Sequence, residues 1–243
     1  MNGSSKKDLQ NSSMKTKKAC IFSFRYFIYD FVRITSFLPG LIYWRPKCIY
    51  ENENARKKIK GGALLISNHL SFIDPVFLMY GFWYRRLHFV ALKILFNTKA
   101  KNFWFRNFQC IPIDRENMSM ETFREIVGHL KNEEVVALFP EGKINVEQKG
   151  IQSFKSGMIL MAMQSKKPIC PVFIQKPKGI FRRVLIAVGE PIDIAGKTAG
   201  LKGIENATQE LYNKENFLKN LAEGYKTRHP NGNEADGQKL EEK

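Results

Sequence analysis

The sequence predicts an α/β fold: a single domain with a mixed, partly parallel central sheet flanked by helices, preceded by an N-terminal interfacial membrane helix pair. Three observations predict it. Continuous apolar runs of strand length, residues 63–67, 135–139 and 169–174, read as buried strands. Segments with helical spacing alternate with these runs, as expected when helices cover a partly parallel sheet. An aromatic, apolar stretch stands ahead of the first run, outside the core pattern.

The chain divides accordingly. Residues 1–18 form a polar leader rich in serine and lysine, expected to be disordered. Residues 19–47 are apolar and crowded with aromatics, but Arg25, Asp30 and Arg33 interrupt them, and Pro39-Gly40 breaks them again. A spanning helix wants about 20 mostly apolar residues, so two short helices lying in the membrane interface fit better, with Trp44 and the tyrosines at headgroup depth. No small-residue cleavage site follows, which excludes a secretory signal. The body of the fold is residues 48–228, and residues 229–243 read as a polar tail.

Within the body, Gly61-Gly62 opens the strand at Ala63–Ser67, and Asp74-Pro75 starts a helix through Val76, Phe77, Leu78 and Met79. His69 therefore sits in the loop at a strand's carboxyl end. Five residues on a straight helix turn about 140°, so His69 and Asp74 can meet only with His69 off the helix. Asp74 then accepts a hydrogen bond from one imidazole nitrogen and leaves the other as a base. Leu92 to Phe108 is an aromatic, basic helical stretch suited to a bilayer-facing helix or an acyl-tunnel wall. Ile111-Pro112-Ile113 leads into Asp114-Arg115, placing an arginine suited to bidentate phosphate binding at a third strand end. Ser119 to Lys131 is a helix with Phe123, Ile126, Val127 and Leu130 at helical spacing. Val135–Phe139 ends in Pro140-Glu141-Gly142-Lys143, a carboxylate on a flexible turn. Phe154-Lys155-Ser156-Gly157 opens a helix whose amides, with Lys155, can face an anion. Ile169–Ile174 and Arg183–Val188 complete the strands, and Leu211, Leu218, Leu221 and Tyr225 mark a final helix.

Four of these segments together resemble the glycerolipid acyltransferase family typified by lysophosphatidate acyltransferase. Asn68-His69-x-Ser71-x-x-Asp74 matches its His-x4-Asp block and Ile113-Asp114-Arg115 its arginine block. Phe139-Pro140-Glu141-Gly142 matches the glutamate block, and Cys170-Pro171-Val172-Phe173-Ile174 the proline block. The order and spacing match over residues 60–190. The resemblance implies acyl transfer from a thioester, on coenzyme A or acyl carrier protein, to a hydroxyl of a phosphorylated glycerol lipid, making phosphatidate. No further cofactor is implied. The residues suit that chemistry: His69 as base, Asp74 as its orienting partner, Arg115 with Lys155 on the acceptor phosphate, and Glu141 with Gly142 shaping the acceptor site through hydrogen bonds to glycerol hydroxyls and close backbone approach.

Other chemistries fit less well. Ser71 lacks the Gly-x-Ser-x-Gly elbow of a hydrolase nucleophile. Metal is not expected: a zinc site on His69, Asp74 and Glu141 finds no further ligand, since His88, His129 and His229 stand in unrelated settings. Cys20, Cys48, Cys110 and Cys170 are scattered, which favours reduced thiols and the cytoplasmic face of a membrane, with Cys170 as nucleophile the lesser alternative. Lys plus Arg number 39 against 23 Asp plus Glu, a net charge of +16 that attracts an anionic membrane surface, anionic lysophospholipid substrates and an acidic acyl carrier. Nucleic acid is not expected, although aromatics interleaved with bases permit it. Two classes of function stay open: an acyltransferase acting on lysophosphatidate or another acceptor (lysophosphatidylglycerol, glycerol 3-phosphate or an amino-acid lipid), and a catalytically silent basic module.

Overall fold

The computed structural model describes residues 26–114, 118–145, 150–176, 183–195 and 200–228. The leader, the polar tail and Arg115 lie outside them. In chain order the elements are α1 (Phe27–Trp44), β1 (Lys47–Tyr50), α2 (Glu53–Arg56), β2 (Ala63–Ser67), α3 (Asp74–Gly81), β3 (Leu87–Leu92), a 3-10 turn (Lys93–Phe96), α4 (Lys99–Asn107), β4 (Ile111–Ile113), α5 (Met120–Lys131), β5 (Val135–Leu138), α6 (Gly157–Ser165), β6 (Ile169–Gln175), β7 (Leu185–Val188) and α7 (Gly200–Arg228). The strands form one sheet in the order β1-β7-β6-β2-β5-β3-β4. Every neighbouring pair is parallel except β6 with β7, so the sheet is mixed and mostly parallel.

The strand sequences explain the layering. Side chains alternate across a strand, so a strand covered on both sides must be apolar throughout. Leu64 and Ile66 of β2, with Val136 and Leu138 of β5, pack under α5, α6 and α7 against Ile126, Leu130, Ile159 and Leu211. Leu65 and Ala137 point the other way, toward Phe77, Leu78 and Tyr80 of α3, with Phe37, Leu41 and Trp44 of α1 closing that layer. Parallel β2 and β5 end side by side, which brings the loops after Ser67 and Leu138 together at one edge.

Two expectations change. The segment before β1 is one helix through Pro39 rather than a pair broken at Pro39-Gly40. Proline forfeits one backbone hydrogen bond, and packing on the domain supplies the difference. Gly40 lies against α3 so closely that a Cβ there would fall 1.5 Å from the Tyr80 hydroxyl, which donates to the Ser36 carbonyl at 2.8 Å. The charge that seemed to interrupt the segment anchors it: buried Asp30 receives the Arg86 guanidinium at 2.7 and 3.2 Å, and the Tyr29 hydroxyl accepts the Leu87 amide at 3.1 Å. The stretch from Leu92 is likewise no single helix. Its start belongs to β3, and Thr98 caps α4 by accepting from the Lys101 amide.

Candidate active site

His69 lies in the loop after β2, as its position at a strand's carboxyl end demands, and its Nδ1 is 2.9 Å from Asp74 Oδ2. Asp74 is the first residue of α3 and fully buried. It does not cap its own helix. The Asp74 amide donates to the Ser71 carbonyl, and this turn swings the carboxylate back over the loop, where it accepts the Leu70 and Ser71 amides at 2.5 and 2.6 Å and the Ser71 hydroxyl at 3.1 Å. Ser71 thus binds the aspartate and is no nucleophile. Lys176, at the end of β6, places Nζ 3.7 Å from Asp74 Oδ1; burial lowers its ammonium pKa and the aspartate opposes that.

An acceptor-only carboxylate at Nδ1 fixes the proton on that nitrogen and leaves Nε2 as the basic one. The ring stacks on Phe139 at the end of β5, centroids 4.0 Å apart and planes 14° from parallel, so its face is held as well as its edge. The loop behind it is pinned: the Asn68 side chain bonds both backbone groups of Ile174, at 2.7 and 3.0 Å, and the Asn145 amide donates to the His69 carbonyl at 2.7 Å.

His69 opens on a cavity of about 1140 Å³. Gly142, Lys143, Lys155 and Ser156 line it beside His69, since the Gly142 amide donates to the carbonyl of Phe139, on which the imidazole stacks, and the Lys155 amide to that of Pro140; Asp114 lines it as well. The rest of the wall is mostly apolar, with Leu138, Met158, Met161, Phe89, Leu92 and Phe108, and α1 closes it with Tyr29, Val32, Phe37 and Trp44 together with the polar Arg33 and Ser36. Gly142 holds a φ of +67°, a backbone conformation suited to glycine, and keeps the wall low beside Lys155. His69, Gly142, Lys155 and Asp114 therefore line one cavity, with Asp74 bonded to the imidazole, while Arg115 lies outside the described residues.

Glu141 sits differently from its expected role. It does not line the cavity; it is 7% exposed and points beneath the His69 loop, where burial pushes its carboxyl up to about 7. Sequence reasoning also missed Lys176, although a base at the end of a fourth strand repeats the pattern of the other three, and it missed Asn68 as a splint. Cys170 is buried and its thiol is pushed up to about 12, which removes it as a nucleophile. His88 and His129, unrelated in sequence, meet in space with ring centroids 4.3 Å apart, and with Glu134 they are the one group of potential metal ligands among the described residues. Glu134 already accepts from His129 Nδ1 at 2.5 Å, lies 3.6 Å from His88 Nε2 and sits in the field of the Arg85 guanidinium, so this cluster ties α5 and β3 to the turn before β5.

Residues 47–175 match the family model described as Acyltransferase. A 1-acyl-sn-glycerol-3-phosphate acyltransferase of Bacillus subtilis is 27% identical over 149 residues, 59% of this chain and 72% of that protein. One of the same name from Streptococcus pneumoniae is 30% identical over 169 residues, 67% of this chain and 62% of its own length. The crystal structure of the 1-acyl-sn-glycerophosphate acyltransferase PlsC from Thermotoga maritima has the same fold, with a TM-score of 0.59 at 21% identity over 82% of this chain and 81% of that one.

Proposed function

Since the chain belongs to the acyltransferase family, in its glycerolipid branch, and is an O-acyltransferase of the 1-acyl-sn-glycerol-3-phosphate acyltransferase type, we propose that it moves a fatty acyl group from a thioester to the free hydroxyl of 1-acylglycerol 3-phosphate, making phosphatidate. The observation that carries the reading is His69, oriented at Nδ1 by Asp74, facing a cavity with a lysine at its near end and an apolar interior beyond.

His69 Nε2 takes the acceptor hydroxyl proton as that oxygen attacks the thioester carbonyl carbon. The negative Asp74 stabilises the imidazolium. When the tetrahedral adduct collapses, the new C–O ester remains, the C–S bond breaks, and the imidazolium returns its proton to the departing thiolate. No acyl-enzyme and no cofactor beyond the donor is called for. Lys155, with Arg115, holds the acceptor phosphate and so keeps the hydroxyl beside His69. The apolar depth takes an acyl chain.

The substrates reach the site from a membrane surface, on the cytoplasmic face. Phe27, Phe31, Ile34, Leu38 and Ile42, all at least half exposed, share the face of α1 turned away from the cavity, and Phe72 and Ile73 project from the His69 loop. No helix among the described residues is long and apolar enough to cross a membrane. A helix lying in the headgroup region uses such a stripe, and the net charge of +16 favours anionic lipid.

The test is a substrate screen with purified protein in liposomes. Acyl-coenzyme A and acyl carrier protein are each paired with lysophosphatidate, lysophosphatidylglycerol, glycerol 3-phosphate and an amino-acid lipid, and products are read by mass spectrometry. Phosphatidate as the dominant product supports the reading. A dominant product from another acceptor reassigns the substrate, and no product from any pair overturns it.

A further inference from the structure

Two acids from distant parts of the chain end beneath the loop that carries His69. Glu141 follows β5, and Glu215 lies in the middle of α7, 0% exposed. All four carboxyl oxygens are buried without a well-formed hydrogen bond. Among the described residues the neighbours are amides: Glu141 lies toward the His69 and Gln152 amides and the Asn145 side chain, Glu215 toward the Asn68 amide, and Glu215 lies in the field of the Glu141 carboxyl.

A lone buried carboxylate is costly, and a second one whose field reaches it makes the doubly charged state costlier still. At least one proton must therefore remain with the pair. Its place is informative, because Asn68 and His69 are the residues whose side chains and carbonyl are already tied down, to Ile174 and Asn145. The carboxyls lie under the amides of those same two residues.

We propose that Glu215, which lies beyond the family-matched segment, is a positioning residue for acyl transfer: with Glu141 it forms a pair of buried carboxyls, at least one of them protonated, that holds the Asn68–His69 backbone, and hence the imidazole, in line with Asp74. The inference rests on the acyl-transfer reading above. Loss of that proton leaves two negative charges buried beneath the same loop, and their repulsion moves it. The charged and titratable groups facing the pair are Asp74, felt by Glu141, and His69 of the same loop. Lys155 lies across Gly142 and faces the cavity. On α7, Lys214 is engaged by Glu51 at 2.6 Å and the Tyr212 hydroxyl donates to the Ile151 carbonyl.

The experiment compares full-length wild type, Glu215→Gln and Glu215→Ala by the pH dependence of kcat and KM for lysophosphatidate-dependent thiol release. Infrared spectra of protein labelled with 13C-glutamate follow the protonated carboxyl in parallel. The wild type shows a carboxyl band that fades along the alkaline limb of kcat. Glu215→Gln, neutral and of the same shape, keeps kcat near neutral pH and moves that limb upward by about one pH unit or more. Glu215→Ala lowers kcat by roughly ten- to a hundredfold with little change in KM, the signature of a displaced base. A Glu215→Gln profile superimposed on wild type, or no protonated carboxyl in wild type at neutral pH, overturns the pair; should the alanine variant fail to fold, the glutamine profile and the infrared band decide. A wild type that carries the band but turns over no acceptor overturns the acyl-transfer reading, and the positioning role with it.

Discussion

Asp74 Oδ2 lies 2.9 Å from His69 Nδ1 and accepts, on the same oxygen, the amides of Leu70 and Ser71. One atom thus orients the base and builds the turn that presents it. Asp74→Asn either turns an amide group toward these donors or presents its carbonyl without the negative charge. We expect kcat to fall by roughly 10³-fold or more, with stability lowered by about 1 to 3 kcal/mol. Steady-state kinetics and a thermal melt check both; a loss of stability with kcat intact would leave Asp74 a builder of the turn alone.

The contact between α1 and α3 gives a second test. A methyl at residue 40 would overlap the Tyr80 ring and hydroxyl. Gly40→Ala should destabilise by about 2 kcal/mol, and Tyr80→Phe by about 1 through the lost bond to the Ser36 carbonyl. Combined with Tyr80→Ala, Gly40→Ala should cost less than it does alone, as measured by a double-mutant cycle in denaturant. Strict additivity would contradict the packing described.

Glu141 predicts a pH dependence of stability. Its native carboxyl is pushed up to about 7 from an ordinary 4.5. Between those values the folded protein keeps a proton that the unfolded chain has lost, so this group's contribution is full below about 4.5 and is lost as pH rises to about 7. Glu141→Gln should flatten that part of the stability curve, by no more than about 3 kcal/mol in total. Denaturant unfolding at pH 5 and 8 measures it; identical slopes in both proteins refute the buried, protonated carboxyl.

The outer face of α1 predicts how the protein meets lipid. Leu38 and Ile42 are 67% and 73% exposed and take no part in the cavity wall. Leu38→Gln with Ile42→Gln should weaken partition onto anionic vesicles by roughly thirtyfold, since about 1 kcal/mol per half-inserted side chain is removed. Cosedimentation reads the effect. Unchanged binding would place the lipid contact elsewhere.

How far the sequence revealed these features follows from burial. β2, β5, β6 and β7 were legible because both faces are covered and their residues are apolar without interruption. β3 was hidden because His88 interrupts its apolar run, and β1 because four residues beginning with Lys47 carry no period. The helix break expected at Pro39 failed for a tertiary reason, the seat that Gly40 takes against Tyr80. At the site, His69 and Asp74 could be paired because a loop and a helix start stand five residues apart. Lys176 and Glu215 could not be joined to them, since parallel pairing of β2 with β6 and the packing of α7 bring them in across more than a hundred residues. A charged residue inside a polar helix gives no sign that it is fully buried.

Acyl transfer in this protein turns on His69 removing the acceptor's proton. Thiol release from the acyl donor, with and without lysophosphatidate, in wild type and in His69→Ala of unchanged circular dichroism, tests it most directly. Acceptor-dependent release is expected in wild type, with a fall by at least about 10²-fold in the variant; equal release from both proteins would rule His69 out as the base.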